Sequence, residues 1–264
     1  MPSYVITGAS RGIGFEFVRQ ISEDENNTVF GIVRNPATAK ELTSLKRPNV
    51  HVLKSDVTDH RGLSAAAAEV AKITGGSLDY LINNAAAVND EFAHLTLTGF
   101  EDQDVLAQSL RGMFNVNVVG VVFTINAFLP LLQKGSVKKV ITISSGVADL
   151  DLTVTTGIAA SAPYSISKAG VNLAVGKYAA QFKSEGFIFL ALSPGLVDTS
   201  TKPPTPEELE GYKQMITAFK QYDTTFEGAI TPEQSVKMQL AVINNVTVKD
   251  TGAFISHHGD KRWL

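Results

Sequence analysis

Cysteine is absent from this 264-residue chain, tryptophan occurs once and methionine four times. Without a thiol there is no disulfide scaffold, no cysteine nucleophile and no thiolate-bound metal. Charge is sparse too. Only 19% of residues are charged, and the net charge of −3 offers no basic stripe of the kind that grips nucleic acid. A long unbroken apolar run is also missing. The longest, residues 116–132, carries Asn117, Asn126 and Pro130, which argues against a transmembrane span. Met1-Pro2-Ser3 leads straight into a strand-like run, so no signal peptide and a cytoplasmic location are expected. What is present is a 44% share of hydrophobic residues, ample for a packed core.

Strand-like and helix-like stretches alternate along most of the chain. Short apolar runs at 4–7, 28–33, 50–53, 78–82, 139–144 and 187–192 predict strands. Between them, residues 11–25, 36–45, 61–73, 101–132 and 163–183 predict helices. Strands apolar on both faces, separated by helices, are the pattern of a parallel sheet covered on both sides. The last seventy residues differ in texture. A Thr/Pro-rich loop begins near Asp198, and Thr205-Pro206-Glu207-Glu208 and Thr231-Pro232-Glu233-Gln234 each read as a capping box opening a helix. Residues 252–256 read as a closing strand. No linker divides the chain, so the expected architecture is one Rossmann-type α/β domain, residues 1–264, with a doubly wound, mainly parallel sheet of about seven strands.

Three motifs carry chemistry. Gly8, Gly12 and Gly14 lie between the first strand and first helix, where backbone N–H groups can approach a pyrophosphate at a helix N-terminus. By itself the pattern also fits a plain turn; its place in an alternating chain favours a dinucleotide site. The second strand ends at Arg34, where an NAD site would carry a carboxylate for the ribose 2′-OH. A guanidinium there can hold a 2′-phosphate, and Arg11 adds a second cation. Two solvated arginines are the alternative, but the joint placement favours NADP(H). Finally, Tyr164 and Lys168 stand one helical turn apart. A phenol titrates near 10, so it needs help to work as an acid–base group at neutral pH, and a nearby ammonium supplies it. Ser144 and Ser145 end the strand before that helix, with turn capping as their alternative role.

Taken in order, Thr7-Gly8-x-x-x-Gly12-x-Gly14, Asp56-Val57, Asn83-Asn84-Ala85, Asn117, Ser145, Tyr164-x-x-x-Lys168 and Pro194-Gly195 resemble the short-chain dehydrogenase/reductase family. The stretch from Gly252 to Trp263 resembles the branch with sniffer-type carbonyl reductases and fungal norsolorinic acid ketoreductase-like enzymes, which implies a place in secondary metabolism. The resemblance implies Tyr164 as proton donor to a carbonyl and Ser145 as the group that polarises it. It implies Lys168 on the nicotinamide ribose, and Asn117 holding a water that links Lys168 to solvent. It also implies a cofactor site of Gly8, Ser10, Arg11, Gly12, Ile13, Gly14, Arg34, Asp56, Val57, Asn84, Ala85, Asn117, Tyr164, Lys168, Pro194, Gly195, Val197 and Thr199. The activity implied is NADPH-dependent reduction of a small or medium carbonyl compound by a homodimer or homotetramer. A non-catalytic NADP-binding protein, or an enzyme of this fold acting on an imine or oxidising an alcohol, is the alternative.

The chain departs from the family pattern in two places. Ala86 stands where glycine is usual, and residues 146–163 form a long interval beside the expected site. That interval is expected either to shape substrate choice or to be a surface excursion. Met215, Phe219 and Tyr222 share a helix face within the segment 198–226, which is expected either to cover the substrate or only to pack that helix onto the body, with the cover favoured by the family resemblance. His257-His258 with Asp260 could suggest a metal, but neighbours on a strand point to opposite faces, so no metal site is expected. The sequons at Asn26 and Asn245 mean little without a secretion signal.

Overall fold

Every strand lies beside its sheet neighbours in the same direction. The computed structural model describes residues 1–88, 92–200 and 206–264, with 206–208 as backbone alone. Seven parallel strands stand in the order β3-β2-β1-β4-β5-β6-β7. These are β1 (Ser3–Thr7), β2 (Thr28–Val33), β3 (Val50–Lys54), β4 (Tyr80–Asn83), β5 (Lys139–Ile143), β6 (Ile188–Ser193) and β7 (Phe254–Ser256). The order reverses between β1 and β4, and the crevice at that switch point, beyond the carboxyl ends of the strands, is where such sheets bind ligands.

Two apolar layers account for the strands' composition. On one face α3 (His60–Thr74), α5 (Gly120–Leu132) and α7 (Ala162–Gln181) bury Leu63, Val70, Phe128 and Val171 against Val5, Phe30 and Phe189. On the other, α1 (Gly12–Ile21) and α9 (Pro232–Asn245) bury Phe17, Val18, Val236 and Ile243 against Ile6, Ile141 and Leu190. β5 and β6 are buried along their whole length, which is why they read as continuous apolar runs rather than alternating ones.

Helix limits differ from the sequence expectation where local hydrogen bonding intervenes. The first helix stops at Ile21 instead of reaching 25, because Asp24 accepts from the Asn26 amide and folds the chain into a turn. The stretch 36–45 divides into a 3₁₀ turn, Pro36–Thr38, capped by Asn35, and a short α2, Lys40–Ser44. The long helix expected over 101–132 begins as α4 (Gln103–Phe114), passes through one π turn, Asn115–Val119, and continues as α5. The run Gln103–Leu132 is long and apolar enough to cross a bilayer, yet half of its most apolar window is buried inside the protein, as a core helix would be. The interval after Ser145 is ordered too. It holds a 3₁₀ turn, Gly146–Ala148, and α6 (Leu150–Thr156), capped by the Asp149 side chain and closed by Gly157 at φ 68°. α8 (Pro206–Tyr222) follows the Thr/Pro-rich loop; Thr205, the expected cap, lies outside the described residues. Thr231 forms the full capping box expected of it.

The opposite edge of the sheet is fastened by one carboxylate. Asp79, buried just before β4, accepts at Oδ2 from the Ser3 amide and hydroxyl (3.0 and 3.2 Å). At Oδ1 it accepts from the Ser136 amide and hydroxyl (3.0 and 2.9 Å). Burial alone would raise its pKa, but these bonds outweigh burial and hold it below the ordinary carboxylate value. A depressed folded pKa stabilises the protein fully above the unfolded value, near 3.9, and the contribution disappears as pH falls through the folded value. Asp79→Ala is therefore expected to destabilise the protein by about 2–3 kcal/mol at neutral pH. Urea denaturation should show that difference shrinking below about pH 4; a penalty constant down to pH 2 would refute the assignment.

Candidate active site

The glycine loop, Arg34, Asp56-Val57, Asn84-Ala85, Ser145 and Pro194-Gly195 follow strand ends at the carboxyl edge of the sheet, and α7 brings Tyr164 and Lys168 to that edge. Thr7 ends β1, and its hydroxyl accepts the amides of Asn84 and Ala85 (3.0 and 3.1 Å). Asn84 returns the contact through Nδ2 to the carbonyl oxygens of Thr7 and Gly8 (3.0 and 3.3 Å). The two loops flanking the switch point are thus fixed to each other. Gly14 makes this approach possible: a Cβ there would stand 2.3 Å from the Gly8 oxygen and 2.4 Å from Asn84 Nδ2. Thr7, which opens the glycine motif, thus joins the two loops through its side chain.

The glycine loop fits an anionic ligand. Gly8 and Gly12 lie at φ 68° and 58°, and α1 starts with no side-chain cap among the described residues and no acid in its first turn. Its first amides are therefore directed at the crevice without a competing carboxylate, the arrangement that holds a pyrophosphate. Arg11 is exposed at the N-cap position, with Ser10 and Ile13 part-exposed beside it; Arg34 is exposed just past β2. Thr199 reaches the same loop, since a Cβ on Gly12 would meet its methyl at 3.4 Å. Val197 is held in the arch between by a bridge to Ile230. Past β3, Asp56 turns Oδ1 to the amide and hydroxyl of Thr58 (2.9 and 2.8 Å). Val57 is buried beside Gly120, where a Cβ would stand 2.9 Å from it, which leaves its backbone rather than its side chain for a ligand. Ala86 has no positive φ, so its methyl brings no backbone strain at the position where glycine is usual.

Tyr164 stands near the start of α7 with its phenol oxygen buried, and the Ser145 hydroxyl at the end of β5 donates to it. Ser144 turns the other way and donates to Asn172 Oδ1 (2.6 Å). Lys168, one turn on, places Nζ 5.7 Å from the centre of the Tyr164 ring and donates to the Ile143 carbonyl (2.8 Å). Burial lowers the lysine pKa to about 8. Burial raises the tyrosine to about 12, and the Ser145 bond offsets only part of that rise. The expected lowering of the phenol by the nearby ammonium is therefore not found: burial outweighs it, the phenol is protonated at neutral pH, and Lys168 is mostly charged.

Asn117 sits in the π turn, buried, and its side chain joins the loop after β4 to the Tyr164 helix. Oδ1 accepts the Ala87 amide (2.8 Å), and Nδ2 donates to the Ala87 carbonyl and to Ser167 Oγ (3.0 and 2.9 Å). With both Nδ2 donors and one Oδ1 lone pair taken by protein, the Asn117 side chain clamps the loop after β4 to α7. Ser167 completes the chain by donating to the Tyr164 carbonyl (2.7 Å). Beside Tyr164, Val88, Phe92, Ala93, Met113 and Pro163 make the apolar part of a small cavity that Ser109 and Ser161 also line. Of the face expected to cover the substrate, Phe219 is buried against Phe226 (centroids 5.6 Å apart), and Tyr222 is exposed.

The reason given for expecting no metal needs correction. His257 and His258 follow β7 in a turn, not on the strand, and their rings face each other with centroids 4.1 Å apart. The described residues contain no group of three or more metal-ligating side chains.

An open parallel α/β sheet with a glycine loop at its switch point and Ser145, Tyr164 and Lys168 on the adjoining edge is the class of fold that binds dinucleotides. The chain belongs to the short-chain dehydrogenase family, whose model matches residues 3–210. It is 43% identical to the short chain dehydrogenase virK of Hypocrea virens and 45% identical to the short-chain dehydrogenase/reductase atnB of an Arthrinium species, each over the full length of both chains. Among solved structures it resembles an NADPH-bound carbonyl reductase from chicken fatty liver, with a TM-score of 0.80, 28% identity and 98% coverage of both chains. The fold also matches the carbonyl reductase Sniffer of D. melanogaster, with a TM-score of 0.78 and 22% identity over 98% of both chains. Family and fold indicate a nicotinamide cofactor and a small-molecule substrate.

Proposed function

We propose that the protein is an NADPH-dependent ketoreductase acting on a carbonyl of a small or medium, largely apolar organic molecule. The observation that carries the reading is the Ser145–Tyr164–Lys168 arrangement, with a protonated, buried phenol beside a buried ammonium. The cofactor, when bound, supplies the hydride. Tyr164 Oη gives its proton to the carbonyl oxygen as negative charge develops there, and Ser145 Oγ directs a second donor at the same oxygen. Lys168 stabilises the phenolate left behind, and its bond to Ile143 keeps Nζ at the sheet edge. The apolar wall of Val88, Phe92 and Met113 excludes water from the reacting atoms.

In this reading the pyrophosphate lies on the amides that open α1, Asp56 and Val57 meet the adenine, and Asn84-Ala85 border the middle of the cofactor. Gly195, Val197 and Thr199 border its nicotinamide end. Arg34 and Arg11 hold the 2′-phosphate. Arg34→Ala should raise the Kd for NADPH about ten- to a hundredfold, the weight of a charge-assisted bond, and leave NADH within about twofold. Fluorescence titration with both cofactors measures this; equal losses for the two would remove Arg34 from the site. An open groove of about 1020 Å³ between α4 and α7, with Phe114 and Ile166 half-exposed on its wall, is the face this reading gives to a second copy of the chain. The segment 198–226, whose helix α8 packs against α6, is the one this reading gives to covering the substrate.

A further inference from the structure

Pro194 and Gly195 leave β6 toward the crevice, and the turn they make is gripped from two sides. On the α9 side, Ser235 Oγ donates to the Pro194 carbonyl (2.7 Å), and Gln239 Nε2 donates to Ser235 Oγ (2.9 Å). On the β7 side stands the imidazole of His257. Gly195 lies at φ 81°, and a Cβ built on it would be 2.7 Å from His257 Cε1 and 3.1 Å from each ring nitrogen. The ring thus occupies the space a side chain at 195 would need.

Nothing in the packing of a structural core asks for histidine here. His257 is 5% exposed, and its Nδ1 is buried with no hydrogen-bond partner among the described residues. Ser193 Oγ and Gln239 Oε1, from the strand end and helix that flank the same turn, share that condition. An unpaired buried polar atom is costly, and an apolar residue of similar size would avoid the penalty. Burial depresses the imidazole pKa to about 4, so the ring carries no charge at neutral pH. A neutral ring adds no repulsion toward a nicotinamide that becomes cationic on oxidation.

We propose that His257 is a positioning residue: its imidazole fixes the Pro194–Gly195 turn and thereby the place of the nicotinamide end of the cofactor. The inference rests on the reductase reading, in which that turn borders the nicotinamide. His257 touches the turn, and the reacting atoms are reached through it.

The test compares two ligands. NADPH spans the whole site, whereas 2′,5′-ADP fills only the adenine and phosphate half. In His257→Ala the Kd for NADPH should rise at least tenfold and kcat fall at least tenfold, with the Kd for 2′,5′-ADP within twofold of wild type. His257→Asn keeps a flat polar group of smaller volume and carries the test should the alanine variant fail to fold. It should weaken NADPH at least threefold with 2′,5′-ADP again unchanged. Equal weakening of both ligands would make His257 a general structural residue and overturn the proposal. Unchanged NADPH binding and kcat would overturn it as well, while leaving the reductase reading intact. Wild-type protein that binds no NADPH would overturn both.

Discussion

Tyr164→Phe should lower kcat/KM for ketone reduction about 10³-fold, or about 4 kcal/mol in transition-state stabilisation, and leave the Kd for NADPH within about twofold. The substitution removes one oxygen and keeps the ring that packs near Lys168 and Pro163. The loss would therefore come from the proton and not from the shape of the cleft. The direction of the phenol's pKa makes the point sharper. Burial holds it at about 12, so the group enters the reaction as a loaded acid that water in the crevice cannot discharge. Steady-state kinetics with a panel of apolar ketones, beside a fluorescence titration of NADPH, separates the two quantities. A phenylalanine variant as active as the parent would remove Tyr164 from the chemistry.

Lys168→Met should be the second most damaging change, with kcat down about 10²-fold. The phenolate formed by proton donation needs a cation nearby, and Nζ of Lys168, buried and 5.7 Å from the ring, is the group placed to supply it. The same argument fixes a pH dependence. Burial lowers the lysine pKa to about 8, so the ammonium is present below that value and lost above it. Wild-type kcat for reduction should be level through neutrality and fall above about pH 8. The methionine variant, with no group titrating there, should lose that descending limb. A limb that persists unchanged in the variant would assign the titration to another residue.

Much of this site was legible in the sequence because a parallel sheet delivers its functional residues in a fixed place. Gly8, Arg34, Asp56, Asn84, Ser145 and Pro194 all lie within two residues of a strand end, and strand ends are what hydrophobic runs reveal best. The π turn at Asn115–Val119 was not legible. One extra residue in a helical turn leaves the apolar pattern on either side looking like a single long helix. α6 escaped for a different reason. It turns Leu150 and Val154 to solvent and buries only Leu152, so it lacks the apolar face that marks a core helix. Its Asp149 cap and Gly157 stop were the available signals. His257 was dismissed because residues on a strand alternate between faces, a sound rule applied one residue beyond the end of β7. The clamp made by Asn117 depends on where the loop after β4 returns, a long-range contact that no local pattern encodes.

Hydride transfer itself is the most direct thing to measure. NADPH carrying deuterium on the transferring face of C4 should be consumed by the wild-type protein with an apolar ketone, and mass spectrometry should find one deuterium on the carbinol carbon of the alcohol. The Tyr164→Phe variant, with the same cofactor bound, should form that alcohol about 10³-fold more slowly. Bound NADPH that is never oxidised by any ketone, or an alcohol without the label, would contradict the account.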